Sequence, residues 1–158
     1  MVELHFLGLF VKLTVTSSVL IGGTLLSALL SGGCAFSRAW NEAAKTPVPA
    51  NDIQGRWRGT WASDVSAHTG KLSCLITKQD DGKYQARYHA NYRKILSFSY
   101  TVSLEATHTN GSYKFSGDAD LGWAGGVYHY EGLANTTNFY STYQSKHDHG
   151  TFQMRRPE

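Results

Sequence analysis

The chain has 158 residues, and its 15 Lys and Arg against 12 Asp and Glu leave a formal charge of only +3. With residues 1–33 read as a removable leader, residues 34–158 make one domain's worth of chain, which excludes a two-domain protein. The cations stand singly apart from Arg93-Lys94 and Arg155-Arg156, too thin a footprint for phosphate, so nucleic acid is not an expected partner.

Residues 13–30 carry no charge and follow Lys12, and the small residues Ser31, Gly32 and Gly33 then precede Cys34. This is a charged, apolar, small export pattern. It resembles a bacterial lipoprotein signal, in which small residues lead into a cysteine that is acylated on sulfur and becomes the mature N-terminus. The resemblance implies a palmitate-type lipid anchor at Cys34. With Ala35 where many inner-membrane lipoproteins have Asp, it also implies the periplasmic face of the outer membrane rather than the inner membrane. An uncleaved signal anchor is the alternative, since about 20 apolar residues can cross a bilayer; cleavage without lipid is another. Acylation of Cys34 leaves Cys74 alone, with no disulfide within the chain. Cys74 alternates with Leu72 and Ile76 and reads as a buried, inert thiol. Residues 34–52 mix small, polar and Pro residues with no strand or helix period and read as a lipidated tether.

From Ile53 the dominant period is two. Ile53, Gly55, Trp57, Gly59 and Trp61 share one face of the first run. Leu72, Cys74 and Ile76 point inward in the second (71–78), and Asp80-Asp81-Gly82 turns it into a third (83–91) carrying Tyr84, Ala86, Tyr88 and Ala90. The fourth (96–107) alternates Phe98, Tyr100, Val102, Leu104 and Ala106 with polar residues. Asn110-Gly111 then turns into a fifth, with Tyr113, Phe115, Gly117 and Ala119 inward. In the sixth (126–134), Tyr128 and Tyr130 oppose Val127, His129, Glu131 and Leu133, so its inward side is ambiguous. The seventh (138–146) offers Phe139 and Tyr143, and the eighth (151–156) Phe152, Met154 and Arg156. Pro47, Pro49 and Pro157 all lie outside residues 53–156, and no amphipathic helix of ten residues separates the runs. Short links between sequential strands make neighbours antiparallel. The expected fold is all-β, a single eight-stranded antiparallel up-and-down barrel over residues 53–156, with a β-sandwich as the alternative.

Gly55-Arg56-Trp57 opens the first strand and Arg155-Arg156 closes the last. The pair resembles the calycin pattern of lipocalins, fatty-acid-binding proteins and avidins, in which a Gly-x-Trp packs with a basic side chain from the final strand. That resemblance implies a barrel closed at one end by Gly55, Trp57 and Arg156, Arg156 sharing the side of Phe152 and Met154.

The inward rings Trp61, Tyr88, Tyr100, Phe115 and Tyr143, beside small Ala86, Gly117 and Ala119, suit either a packed core or a site for a small hydrophobic or amphipathic ligand whose polar groups meet the phenols. Asp64 and His68 sit in a long connection that reads as a surface loop. His147 and His149 flank Asp148, but two imidazoles alone make no metal site. No nucleophile-elbow, zinc-protease, phosphate-loop or paired-cysteine motif is present, so no enzyme, catalytic residue or cofactor is expected. The Asn110 and Asn135 sequons read as turn chemistry. The reading is of a monomeric, non-enzymatic envelope lipoprotein, attached to a membrane through Cys34, whose calycin-like barrel binds a small apolar ligand. The alternative is an interaction or inhibitor module with a filled barrel, using surface loops and aromatics such as Trp123.

Overall fold

A computed structural model describes residues 3–6, 9–12, 35–92 and 96–158. The apolar run 13–30, Cys34 and the Arg93-Lys94 pair lie outside the described residues. Near the N-terminus, β1 (Glu3–Phe6) pairs antiparallel with β2 (Leu9–Lys12).

All eight expected runs are strands: β3 (Gly55–Ser63), β4 (Thr69–Lys78), β5 (Tyr84–Tyr92), β6 (Leu96–Thr109), β7 (Ser112–Asp120), β8 (Val127–Ala134), β9 (Asn138–Gln144) and β10 (His149–Arg155). Each pairs antiparallel with its sequence neighbour, and β10 pairs with β3, from Arg155↔Arg58 to Gly150↔Ser63. The sheet is therefore a closed barrel in up-and-down order, not a sandwich. Closure removes the free edges that an open eight-stranded sheet would expose.

The turns follow from local chemistry. Asn110 and Gly111 both take positive φ, 51° and 76°, as a two-residue hairpin between right-twisted strands requires. The Asn135 carboxamide accepts the N–H groups of Thr137 at 2.9 Å and Asn138 at 2.8 Å, so this sequon is an Asx turn joining β8 to β9.

Period two places the core. Trp57, Leu72, Cys74, Tyr88, Val102, Phe115, Phe139 and Phe152 are all buried inside. The ambiguous sixth run resolves with Tyr128 and Tyr130 inward and Val127 and Leu133 exposed. Tyr130 lies opposite Gly117 and Tyr128 opposite Ala119, so the small inward residues of β7 make room for the rings of β8.

One segment differs from the sequence reading. Residues 35–43, expected to be part of a structureless tether, form a helix, α1, lying across the outside of β3–β5. Its stripe of Phe36, Ala39, Trp40 and Ala43 has i, i+3, i+4, i+7 spacing and meets Leu75. A helix this short is marginal alone, and two of its four stripe residues are alanine, so its order comes from docking. Phe36 stacks on His89 at 4.9 Å, Trp40 lies beside Arg56 and Arg58 at 5.4 and 5.3 Å, and Arg87 lies 5.8 Å from Phe36. A single turn of helix, α2 (Gly122–Gly125), links β7 to β8.

Candidate functional site

The barrel has two unlike ends. At the first, where the chain enters β3 and leaves β10, Arg156 lies over Trp57 with its guanidinium carbon 3.9 Å from the ring centroid. Its nitrogens donate to the carbonyls of Gln54 at 2.6 Å and Asp52 at 2.9 Å, while the Trp57 indole donates to Ile53 O at 2.8 Å. Burial lowers the Arg156 pKa to about 10, partly opposed by Asp52, which leaves it charged at neutral pH. Gly55 is required here on two counts. Its φ is +101°, and a Cβ would stand 3.1 Å from Arg156 Nη1. Phe139 joins the plug, 5.6 Å from Trp57 and 4.7 Å from Phe115. The terminal plug expected from Gly55, Trp57 and Arg156 is thus built as one unit, consistent with a calycin-like barrel.

The middle of the barrel is a cluster of phenols. Tyr88 stands 5.2 Å from Tyr100, 6.1 Å from Tyr130 and 5.3 Å from Phe152; Tyr100 is 6.1 Å from Tyr130. Tyr143, 5.0 Å from Phe152, and Tyr128, 6.4 Å from Tyr130, extend it toward the second end. The Tyr143 hydroxyl is used, donating toward Asp148 Oδ2 and Ala62 O, each at 3.3 Å. The hydroxyls of Tyr88, Tyr100, Tyr128 and Tyr130 are buried and have no hydrogen-bond partner among the described residues. Tyr88 sits across from the Cys74 thiol and Tyr100 near Tyr130, but neither pair reaches hydrogen-bond geometry. Burial drives these phenols away from ionisation, Tyr128 to about 12 and Tyr88, Tyr100 and Tyr130 well above the ordinary phenol value, and it raises Cys74 as well. The cluster is therefore neutral and rich in hydrogen-bonding capacity it does not use; each such group costs about 1–3 kcal/mol.

A seam leads to this cluster. The β6–β7 ladder runs from Thr109↔Ser112 only to Glu105↔Ser116, so Leu96–Leu104 of β6 and Gly117–Asp120 of β7 are unpaired with each other. Within that unpaired stretch, burial falls off toward the start of β6. Val102 and Leu104 are fully buried, but Phe98 and Tyr100, which point to the same inner side, are only half-buried. Around the same end, Val65, Leu96 and Val127 are exposed, making an apolar rim.

The sequence-expected ring residues thus divide among three places. Tyr88, Tyr100 and Tyr143 belong to the phenol cluster. Trp61 lies toward the second end, its indole donating to Asn91 O at 3.1 Å, and Phe115 belongs to the plugged end. Tyr128, Tyr130 and Phe152 complete the cluster; the first two were hidden by the two-sided apolar pattern of β8, and opposition to Gly117 and Ala119 was the signal that could have found them. Asp148, buried between exposed His147 and His149, accepts Ser63 Oγ at 2.7 Å and clasps the β9–β10 turn to the end of β3. Among the described residues no group of three His, Cys, Asp or Glu side chains is placed to hold a metal ion. Two surface hollows of about 380 and 250 Å³ lie outside the barrel, one beside Thr107 and Lys114, the other beside Val48 and Arg156.

No protein-family model matches the chain, and neither do any curated proteins or solved structures. The class defined by the geometry is a closed eight-stranded antiparallel barrel, plugged at one end and parted along one seam.

Proposed function

We propose that this is a non-enzymatic envelope lipoprotein, acylated at Cys34, whose barrel binds a small amphipathic molecule through the seam between β6 and β7. The observation that carries the reading is the set of four buried phenol oxygens without a partner among the described residues, one of them on half-buried Tyr100 beside half-buried Phe98. An amphipathic ligand would rest its apolar part on the rings and the apolar rim while its polar atoms pair with the hydroxyls. Rings in mutual contact leave no wide lumen, so the ligand is small or displaces Tyr100, the least buried member of the cluster.

A second reading has its own support. The filled interior and the exposed Val65, Leu96 and Val127 suit a module that docks a partner protein on the rim.

Native mass spectrometry of the protein released from its own membrane separates the two. Ligand binding predicts a retained small molecule; polypeptide mass plus acyl chains alone, in repeated preparations, supports the docking module. The anchor is tested separately. Cys34→Ser should abolish acyl labelling and release the protein from membranes, whereas continued attachment would support an uncleaved anchor.

A further inference from the structure

The outer surface of the barrel is electrostatically two-sided. On β3–β5 the outward positions include Arg56, Arg58, Lys71 and Arg87 and no carboxylate. In the closed strand order β8 stands opposite β4, and the facing sector β7–β9 carries Asp118, Asp120 and Glu131 outward, with Lys114 its one Lys or Arg and the His129 ring 2.8 Å from Asp118. None of the three arginines lies within ion-pair distance of a carboxylate among the described residues; what they touch is the Phe36 and Trp40 rings of α1. The carboxylate of α1, Glu42, is bound to Lys45 at 2.9 Å.

The same sector receives the start of the folded chain. Phe36 is buried against His89, two residues after Cys34, and two residues span at most about 7 Å. A group fixed to Cys34 would therefore lie within about 7 Å of chain from Phe36, on the β5 side of the barrel.

We propose that the β3–β5 face with α1 is a membrane-docking surface that lies against anionic lipid headgroups, with the acidic β7–β9 face turned away. This rests on acylation of Cys34; the charge asymmetry and the short stretch of chain from Cys34 to docked Phe36 are what it adds. Each cation near an anionic surface should strengthen contact about five-fold, and the effect should fade once salt shortens the screening length to ~3 Å near 1 M.

The test is lysine footprinting by mass spectrometry of the acylated full chain reconstituted in vesicles, comparing phosphatidylcholine alone with a phosphatidylcholine–phosphatidylglycerol mixture. Lys71 and Lys114, both exposed and on opposite faces, are the internal pair. The expected result is several-fold protection of Lys71 but not of Lys114 in the anionic vesicles, reversed by high salt, which needs no substitution that might undock α1. The same protection should be lost in Arg56→Gln/Arg58→Gln/Arg87→Gln. Vesicle-bound protein with Lys71 and Lys114 labelled alike would overturn the docking face and leave the anchor standing; failure to associate with either vesicle would overturn the anchor itself. Binding of duplex DNA at the same salt, with Lys71 unprotected on vesicles, would assign the face to nucleic acid and overturn the inference.

Discussion

At the scale of single residues the phenols govern both stability and site chemistry. The Tyr130 hydroxyl is buried with no hydrogen-bond partner among the described residues, so Tyr130→Phe should stabilise the ligand-free barrel by about 1 kcal/mol in denaturant unfolding while weakening ligand retention. A loss of stability of that size would mean that the hydroxyl is already satisfied in the free protein. The sign of the pH response follows from the same burial. Tyr128 ionises near 10 when unfolded but near 12 when folded, so the native state holds its proton more tightly. The stability this contributes is whole below about pH 10 and is lost as pH rises toward 12, with Tyr88, Tyr100 and Tyr130 acting in the same direction. A fluorescence-monitored pH titration should show alkaline unfolding across that window, with phenolate absorbance of the core tyrosines appearing together with unfolding rather than before it. Inward glycines belong to this scale too: a Cβ at Gly150 would fall 2.7 Å from the Tyr143 oxygen, so that ring occupies the space the missing side chain leaves.

At the scale of elements, the plug and α1 make contrasting demands. Trp57 is fully buried, stacked under Arg156 and tilted on Phe139, so Trp57→Ala should cost about 3–5 kcal/mol in denaturant unfolding. Trp40 packs on the barrel exterior, with Leu75 and the Arg56 and Arg58 guanidiniums of that surface around its ring. Trp40→Ala should cost less, about 2 kcal/mol, and should free α1 while leaving the barrel ladders protected in amide hydrogen exchange. Strands and plug were legible in the sequence because period-two alternation, Asn-Gly and Asp-Gly turns, and a Gly-x-Trp at one end with Arg156 at the other are local signals. The α1 stripe was not, since four apolar positions in nine residues, two of them alanine, become a helix only when Leu75 and three arginines of distant strands lie beneath them. The inward side of β8 was hidden for a related reason: Val127 and Leu133 are as apolar as Tyr128 and Tyr130, and only pairing with β7 decides between the faces.

At the scale of the whole molecule, closure, seam and charge asymmetry act together. Eight sequential strands close because β10 meets β3, and the Asp148–Ser63 hydrogen bond fastens that junction at the end opposite the plug. The longest break lies where β6 and β7 part, and there the phenol cluster comes nearest to solvent. Closure was readable from residue order, but the break was not: alternation places Tyr88 and Tyr100 inside, while how far a ladder continues depends on how β6 twists past Glu105. The most direct measurement is a crystal structure of the protein purified from its own membrane. The expected result is density for a bound molecule beside Phe98 and Tyr100, with a polar atom within hydrogen-bonding distance of at least one of the Tyr88, Tyr100, Tyr128 and Tyr130 hydroxyls. A closed β6–β7 ladder with ordered water alone at those hydroxyls would contradict it.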